Sequence, residues 1–295
     1  MNIQWYPGHM TKAVRMMEEN MKLIDLVIEL IDARIPVSSR NPDIDRLAGN
    51  KMRLVILNKS DLADEKENKK WIRYFEERKI AAICYNSKSR DGIGALNRKL
   101  EEVCKEKKER DRKRGIINRS VKAMIVGIPN VGKSTFINNL AKRNAAVVGN
   151  KPGVTKGKQW IRIGKELDLL DTPGILWPKF EDNFIGMHIG YIGSINDEII
   201  SLEELSTELI KELRNVSPDA LKNRYGENIS EDLSAPEVLE AIAVARKCYK
   251  KGEVPDLKKA ADLFLDDFRS GKLGRITLED APENPKVNSE PVSGN

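Results

Sequence analysis

The sequence predicts an α/β fold, a mostly parallel sheet with helices on both faces, followed by a small all-α domain. Three observations predict it. Short runs rich in Ile, Val and Leu, without strict alternation, recur between stretches of helical periodicity up to about residue 178, as strands buried on both faces do. The strand signal then stops and amphipathic helical patterns take over. The charge changes sign at the same point: residues 1–180 carry 37 Lys and Arg against 22 Asp and Glu, and residues 181–295 carry 14 against 23. The expected division is 1–178 for the α/β domain, 179–280 for the helical domain and 281–295 for a polar tail expected to be disordered.

In chain order, the strand-like runs are LVIELID (26–32), RLVILN (53–58), IAAICYN (80–86), KAMIVG (122–127) and LDLLD (167–171). Helical patterns fall at roughly 10–22, 64–79, 93–110 and 133–142. Beyond Pro178, three stretches read as helices: SLEELSTELIKELRNV, PEVLEAIAVARKCYKKG and DLKKAADLFLDDFRSGKLG. Each is opened by Ser, Pro or Asp, and the last two are expected to close at Gly252 and Gly271. The segment KEKKERDRKRG (105–115) has seven basic and three acidic residues. It reads either as the solvated end of a helix or as a linker that touches phosphates.

Composition closes off several classes. The chain is 40% apolar and 33% charged, with no run of about 18–20 apolar residues that could span a bilayer. MNIQWYPGHM lacks the apolar core of a secretion signal, so a cytoplasmic protein without membrane contact is expected. Cys84, Cys104 and Cys248 stand apart, which argues against a disulfide framework or a zinc module.

One motif dominates the chemistry. GIPNVGKS (127–134) fits G-x-x-x-x-G-K-[ST], follows an apolar strand and opens a helix, the context in which backbone N–H groups cradle phosphates. Asn130, Val131, Gly132, Lys133, Ser134 and Thr135 are the expected phosphate contacts, with Lys133 the cation on the β- and γ-phosphates and Ser134 a Mg²⁺ ligand. DTPG (171–174) ends the next strand run. Asp171 there would hold Mg²⁺ through water, and Gly174 would meet the γ-phosphate. Thr155, in PGVTKGKQW, is the candidate second hydroxyl on Mg²⁺. Base choice is read from NKSD (58–61), an N-K-x-D signature that Asn58 opens: the Asp61 carboxylate can accept from guanine N1–H and the 2-amino group together, and Lys59 can lie over the base. Asn86, Ser87 and Lys88 approximate the further guanine loop, usually written S-A-K.

These motifs resemble those of the Ras-like GTPase superfamily in a different order, with the base loops ahead of the phosphate loops. The chain is therefore similar to circularly permuted P-loop GTPases. Permutation is tolerable because all these loops leave the carboxyl ends of strands in one sheet, and the basic segment near 105–118 would join the old termini. With WYPGHM (5–10), LIDARIP (30–36) and the helical C-terminal part added, the resemblance covers essentially the whole chain and is to the YlqF/RbgA family of ribosome-assembly GTPases. It implies GTP hydrolysis and maturation of the large ribosomal subunit, with the precursor's rRNA and ribosomal proteins as partners, the protein being a monomer off the ribosome. The OB-fold and zinc module of the YjeQ type have no counterpart here.

Further expectations follow. Residues 136–165 hold seven basic and no acidic residues, more than a triphosphate needs, which favours contact with RNA phosphate. The position after Gly174 is Ile175, which cannot orient water as a Gln there would. His9 is the candidate for that role, and His188 reads as a packing or interface residue. Asn130 is a candidate K⁺ ligand. The loop after DTPG runs straight into the helical part, so nucleotide state would shift that part. Two rival readings are a partner-regulated signalling switch that does not bind RNA directly, and an RNA-binding module with a structural nucleotide site.

Overall fold

The computed structural model describes residues 8–89, 92–116, 119–142, 159–177, 180 and 182–282, with the His9 side chain outside that set. Its frame is one sheet built from β1 (Leu26–Asp32), β2 (Met52–Asn58), β3 (Ala81–Tyr85), β4 (Val121–Val126), β5 (Gln159–Ile163) and β6 (Leu167–Asp171), in the spatial order β3-β2-β1-β4-β6-β5. The pairs β1–β2, β2–β3, β1–β4 and β4–β6 are parallel. β1 sits at the centre and is buried at every position, which explains its unbroken apolar run. The carboxylate in the middle of that run, Glu29, is neutralised by Arg40 and Arg53 at 3.2 and 2.9 Å, and the one at its end, Asp32, by Arg34 and Lys59.

Helices cover the sheet: α1 (Gly8–Met21), α2 (Asp43–Ala48), α3 (Glu65–Glu77), α4 (Ile93–Lys113) and α5 (Lys133–Ala141). α3 starts where Asp64 accepts from the N–H groups of Lys66 and Glu67, at 2.7 and 3.0 Å. The basic segment 105–115 forms the last turns of α4 and the turn after it. Within it Lys107 is buried and paired with Asp25 and Asp111, so only part of that charge faces solvent.

The helical part comprises α6 (Asn183–Tyr191), α7 (Leu202–Val216), α8 (Asp219–Tyr225), α9 (Ala235–Ala245) and α10 (Leu257–Arg269). Its core is continuous with that of the sheet: one buried apolar cluster runs from Met10 through β1 and β4 to Leu209, Phe264 and Leu278. α9 does not extend to Gly252. Lys247 takes the left-handed conformation, φ 54°, and the N–H of Cys248 closes on Ala243 O, which ends the helix a turn and a half earlier. α10 does end at Gly271, φ 79°, where a left-handed residue is needed.

β5 is an element the apolar runs do not reveal. It is antiparallel to β6 and joined to it by a three-residue loop whose Gly164 has φ 59°. It lies at the sheet edge, with Gln159, Trp160 and Arg162 exposed, so it lacks the apolar density of the inner strands. The short helices α2, α6 and α8 also lie outside the expected set.

Candidate functional site

The strand order turns at β1 and β4, and the carboxyl ends of β1, β2, β3, β4 and β6 open on one crevice, the position where open α/β sheets bind ligands. The motif loops meet there. Gly132 caps α5 in the left-handed conformation, φ 97°, and a Cβ on it would lie 2.4 Å from Asn58 Nδ2. Only glycine lets the phosphate loop and the base loop approach this closely.

Asn58 ties the loops together. Buried at 1% exposure, it donates from Nδ2 to Val131 O at 2.6 Å, and its Oδ1 accepts from Ser87 N at 3.1 Å and Ser87 Oγ at 2.8 Å. Asn139, on α5, donates to Ser87 O. Asn86 turns its own loop by accepting from the N–H groups of Lys88 and Ser89. The three loops read from sequence as base and phosphate contacts therefore form one hydrogen-bonded unit.

Lys59 has φ 57° and places its ammonium 3.0 Å from Asp32 Oδ2. Burial, outweighing the attraction of Asp32, lowers its pKa. Asp32 is itself fully buried and opposed by burial, yet Arg34 and Lys59 hold it well below the usual carboxylate range. Arg34 grips it with both arms of its guanidinium, at 2.9 and 2.8 Å. Asp32 and Arg34 stand in LIDARIP, which the sequence flagged only as part of a resemblance. Their role beside Lys59 carries no local pattern. The Asp61 side chain is exposed.

At the phosphate end, Lys133 folds onto its own loop, donating to Gly127 O at 3.0 Å and Ile128 O at 2.8 Å. Burial lowers its pKa to about 8 despite the nearby Asp171. Burial raises the Asp171 carboxyl to about 6, with Lys133 pulling the other way. Gly174 packs so closely on the loop that a Cβ would meet Pro129 at 2.7 Å and Lys133 Nζ at 2.9 Å. Asp171 Oδ1 is buried and, among the described residues, has no hydrogen-bond partner. An orphaned carboxylate oxygen in the same crevice as a half-buried Ser134 at the first turn of α5 is the donor set a hard divalent cation takes. The residues present thus fit Mg²⁺.

Other expected positions fall differently. Thr155 lies outside the described residues, and His9 is in the first turn of α1. Asn130, φ 59°, donates from Nδ2 to Gly193 O beyond α6, and Ser194 Oγ donates to Pro129 O at 2.5 Å. The phosphate loop is thereby tied to the helical part. Ile175 is buried and donates its N–H to Gly127 O, so its side chain has no access to water. His188 is fully buried between Glu212 Oε2 at 2.9 Å and Glu279 Oε1 at 2.8 Å. Burial opposes its charge, but the two carboxylates prevail and raise its pKa. Among the described residues, no group of His, Cys, Asp and Glu forms a further metal cluster, and no helix is long and apolar enough to cross a membrane.

Comparison with known proteins agrees with this arrangement. A family model described as 50S ribosome-binding GTPase matches residues 122–225, the stretch from β4 to α8. Ribosome biogenesis GTPase A of Bacillus cereus is 47% identical over 284 residues, which cover 96% of this chain and 95% of that protein. Mitochondrial ribosome-associated GTPase 1 of Mus musculus is 33% identical, covering 94% and 90%. The crystal structure of GNP-bound YlqF from Thermotoga maritima superposes with a TM-score of 0.69 at 28% identity, covering 92% of this chain and 99% of that one. Nearly full-length identity at this level, on a sheet whose base loops precede its phosphate loop, leads to one conclusion: the chain belongs to the ribosome biogenesis GTPase A family, a circularly permuted branch of the P-loop GTPases.

Proposed function

We propose that this protein is a GTP-hydrolysing assembly factor of the large ribosomal subunit, whose contact with the precursor's rRNA changes with the nucleotide it holds. The observation that carries the reading is the Asn58 unit, which draws NKSD, the Ser87 loop and the phosphate loop into one crevice at the strand ends. In this reading Asp61, Lys59 and the loop of Asn86, Ser87 and Lys88 receive guanine. The backbone of residues 130–135 and the Lys133 ammonium receive the phosphates, and Gly174 meets the γ-phosphate.

Ser134, Thr155 and Asp171 are the proposed holders of Mg²⁺, which when bound neutralises phosphate charge during transfer. Lys133 exchanges two carbonyl partners for phosphate oxygens, and Asp171 acts in its ionised form. With Ile175 buried, His9 is the proposed residue that orients the attacking water. Asn130 is the proposed K⁺ ligand, tested by comparing turnover in KCl and NaCl. The proposed division remains a GTPase domain, 1–178, and a helical domain, 179–280, acting as a monomer away from the ribosome and in the cytoplasm.

The test is GTP turnover by the full chain, alone and with large-subunit precursors, at low and high salt. Stimulation that salt removes supports a precursor-activated enzyme working through basic contacts. Slow turnover unchanged by precursors overturns it and favours a switch read by protein partners. His9→Ala then tests the water-orienting role: loss of stimulated turnover with GTP affinity intact is expected.

A further inference from the structure

The guanine loop has a second support, supplied from the other end of the chain. Residues 271–279 leave α10 and cross back over the sheet's carboxyl edge. Four hydrogen bonds link them to loop 59–64: Ile276 N to Leu62 O at 2.9 Å, Asp64 N to Thr277 Oγ1 at 3.0 Å, Arg275 Nε to Ala63 O at 2.9 Å and Arg275 Nη2 to Ser60 O at 3.4 Å. Gly271 abuts the Leu62 side chain so tightly that a Cβ would lie 2.6 Å from it. Ile276, Thr277 and Leu278 are all buried.

The bonded groups belong to the residues that flank Asp61 on both sides. Asp61 itself is exposed, and among the described residues no hydrogen bond or ion pair orients its carboxylate. Its direction is therefore set by its backbone, and that backbone is held from 271–279. The same region reaches Lys59 by a second route. The end of α10 presents the carbonyls of Phe268 and Arg269 to Arg34 Nη1, at 3.1 and 3.4 Å, and Arg34 fixes the Asp32 carboxylate that holds the Lys59 ammonium.

We propose that segment 271–279 is a positioning element for base recognition, and that Arg275 and Thr277 set how sharply the site distinguishes guanine from a base lacking the 2-amino group. This rests on the reading of 58–61 as the guanine loop. A carboxylate that must accept two N–H donors at once tolerates little displacement, because the second bond is lost first. Loosening the loop therefore costs the 2-amino contact more than the N1–H contact. It leaves the phosphate end, held by Gly127, Gly132 and Gly174, unchanged.

The experiment measures dissociation constants of the full-length protein for GDP, inosine diphosphate and a non-hydrolysable GTP analogue. The variants are Thr277→Val, Thr277→Ser and Arg275→Gln. The wild type is expected to prefer GDP over inosine diphosphate by about tenfold or more, the scale of one bidentate pair. Thr277→Val and Arg275→Gln are expected to cut that preference about threefold or more, with the GDP to GTP-analogue ratio constant. Thr277→Ser, which keeps the hydroxyl, should retain the wild-type preference. Arg275 is half exposed, so its variant stays informative if Thr277→Val fails to fold. A wild type that discriminates, beside variants that discriminate equally well, overturns the proposal and reduces the segment to a structural strap. A wild type with no preference overturns the guanine reading itself, and the proposal with it.

Discussion

Asn58→Ala removes the knot of the site, and its cost can be worked from the groups it strands. Val131 O loses a donor at 2.6 Å, and Ser87 N–H loses an acceptor at 3.1 Å. The Ser87 hydroxyl can rotate to another partner, but the two backbone groups cannot move without breaking their loops. A buried polar group left without its partner costs about 1–3 kcal/mol. Two such groups give about 3 kcal/mol once water reaches part of the space. At roughly 2–4 °C per kcal/mol for a chain of this size, the nucleotide-free protein should melt about 6–12 °C lower. The substitution also uncouples the base loop from the phosphate loop, so GDP affinity should fall at least tenfold, roughly 1.4 kcal/mol or more. Ser87→Ala is the control. It removes one of two donors to the same oxygen and should cost about 1 kcal/mol. Thermal melts by circular dichroism and GDP titration by calorimetry read both effects. An Asn58→Ala protein that melts within 1 °C or so of wild type, and binds GDP within about twofold, refutes the knot.

Other outcomes follow from the charges and glycines. Lys133 must be protonated to hold phosphate and has a pKa of about 8 in the free protein, so GDP affinity should weaken above pH 8, by up to about tenfold per unit, and Lys133→Ala should abolish the slope. Asp171, at about 6, must lose its proton to hold Mg²⁺, so Mg²⁺-dependent nucleotide affinity should fall below pH 6, and Asp171→Asn should remove both the Mg²⁺ effect and its pH dependence. His188 faces Glu212, Glu279, the Ser38 hydroxyl at 3.3 Å and the Phe184 ring, with Tyr191 bonded to Glu212. Its raised pKa contributes stability that is complete below its ordinary value of 6.5 and is lost as pH rises through the folded value, so His188→Gln should flatten the alkaline limb of a stability–pH curve. Gly132→Ala should lose nucleotide binding, because the methyl would lie 2.4 Å from Asn58 Nδ2 at a φ of 97°.

The sequence makes the inner sheet legible because strands buried on both faces are dense in Ile, Val and Leu without strict alternation, as β1 and β4 are. It makes loops 58–61 and 127–134 legible as candidates because nucleotide chemistry demands fixed residue types at fixed spacing, and the structure brings the two into one crevice. β5 escapes for the opposite reason: an edge strand with Trp160 and Arg162 facing solvent has neither signal. α2 and α8 are too short to sustain a helical period, and α6, NFIGMHIGY, is apolar on all sides with two glycines, so it shows no amphipathic alternation. The ties that complete the candidate site are long-range. Arg34 reaches Phe268, and Glu279 accepts from the N–H groups of Val37 and Ser38 while meeting His188. Nothing near Arg34 or Glu279 in the chain hints at partners more than 230 residues away. His188 was legible as a packing residue, because a lone histidine in an apolar run has few other places to go, but its two glutamates were not.

The crossing of segment 271–279 over the base loop sets an order of events during synthesis. Residues 58–61 leave the ribosome early, whereas Arg275, 215 positions after Ser60, leaves late. Chains emerge at about 5–20 residues per second, so roughly 10–40 seconds separate the two. A nascent chain can fold its sheet and phosphate loop in that interval, yet its guanine pocket stays unbraced until the last helix has formed and turned back. On the proposed role of this segment, the chain acquires its full base selectivity only on completion, and a copy truncated before Arg275 should bind nucleotide with less distinction between guanine and a base lacking the 2-amino group.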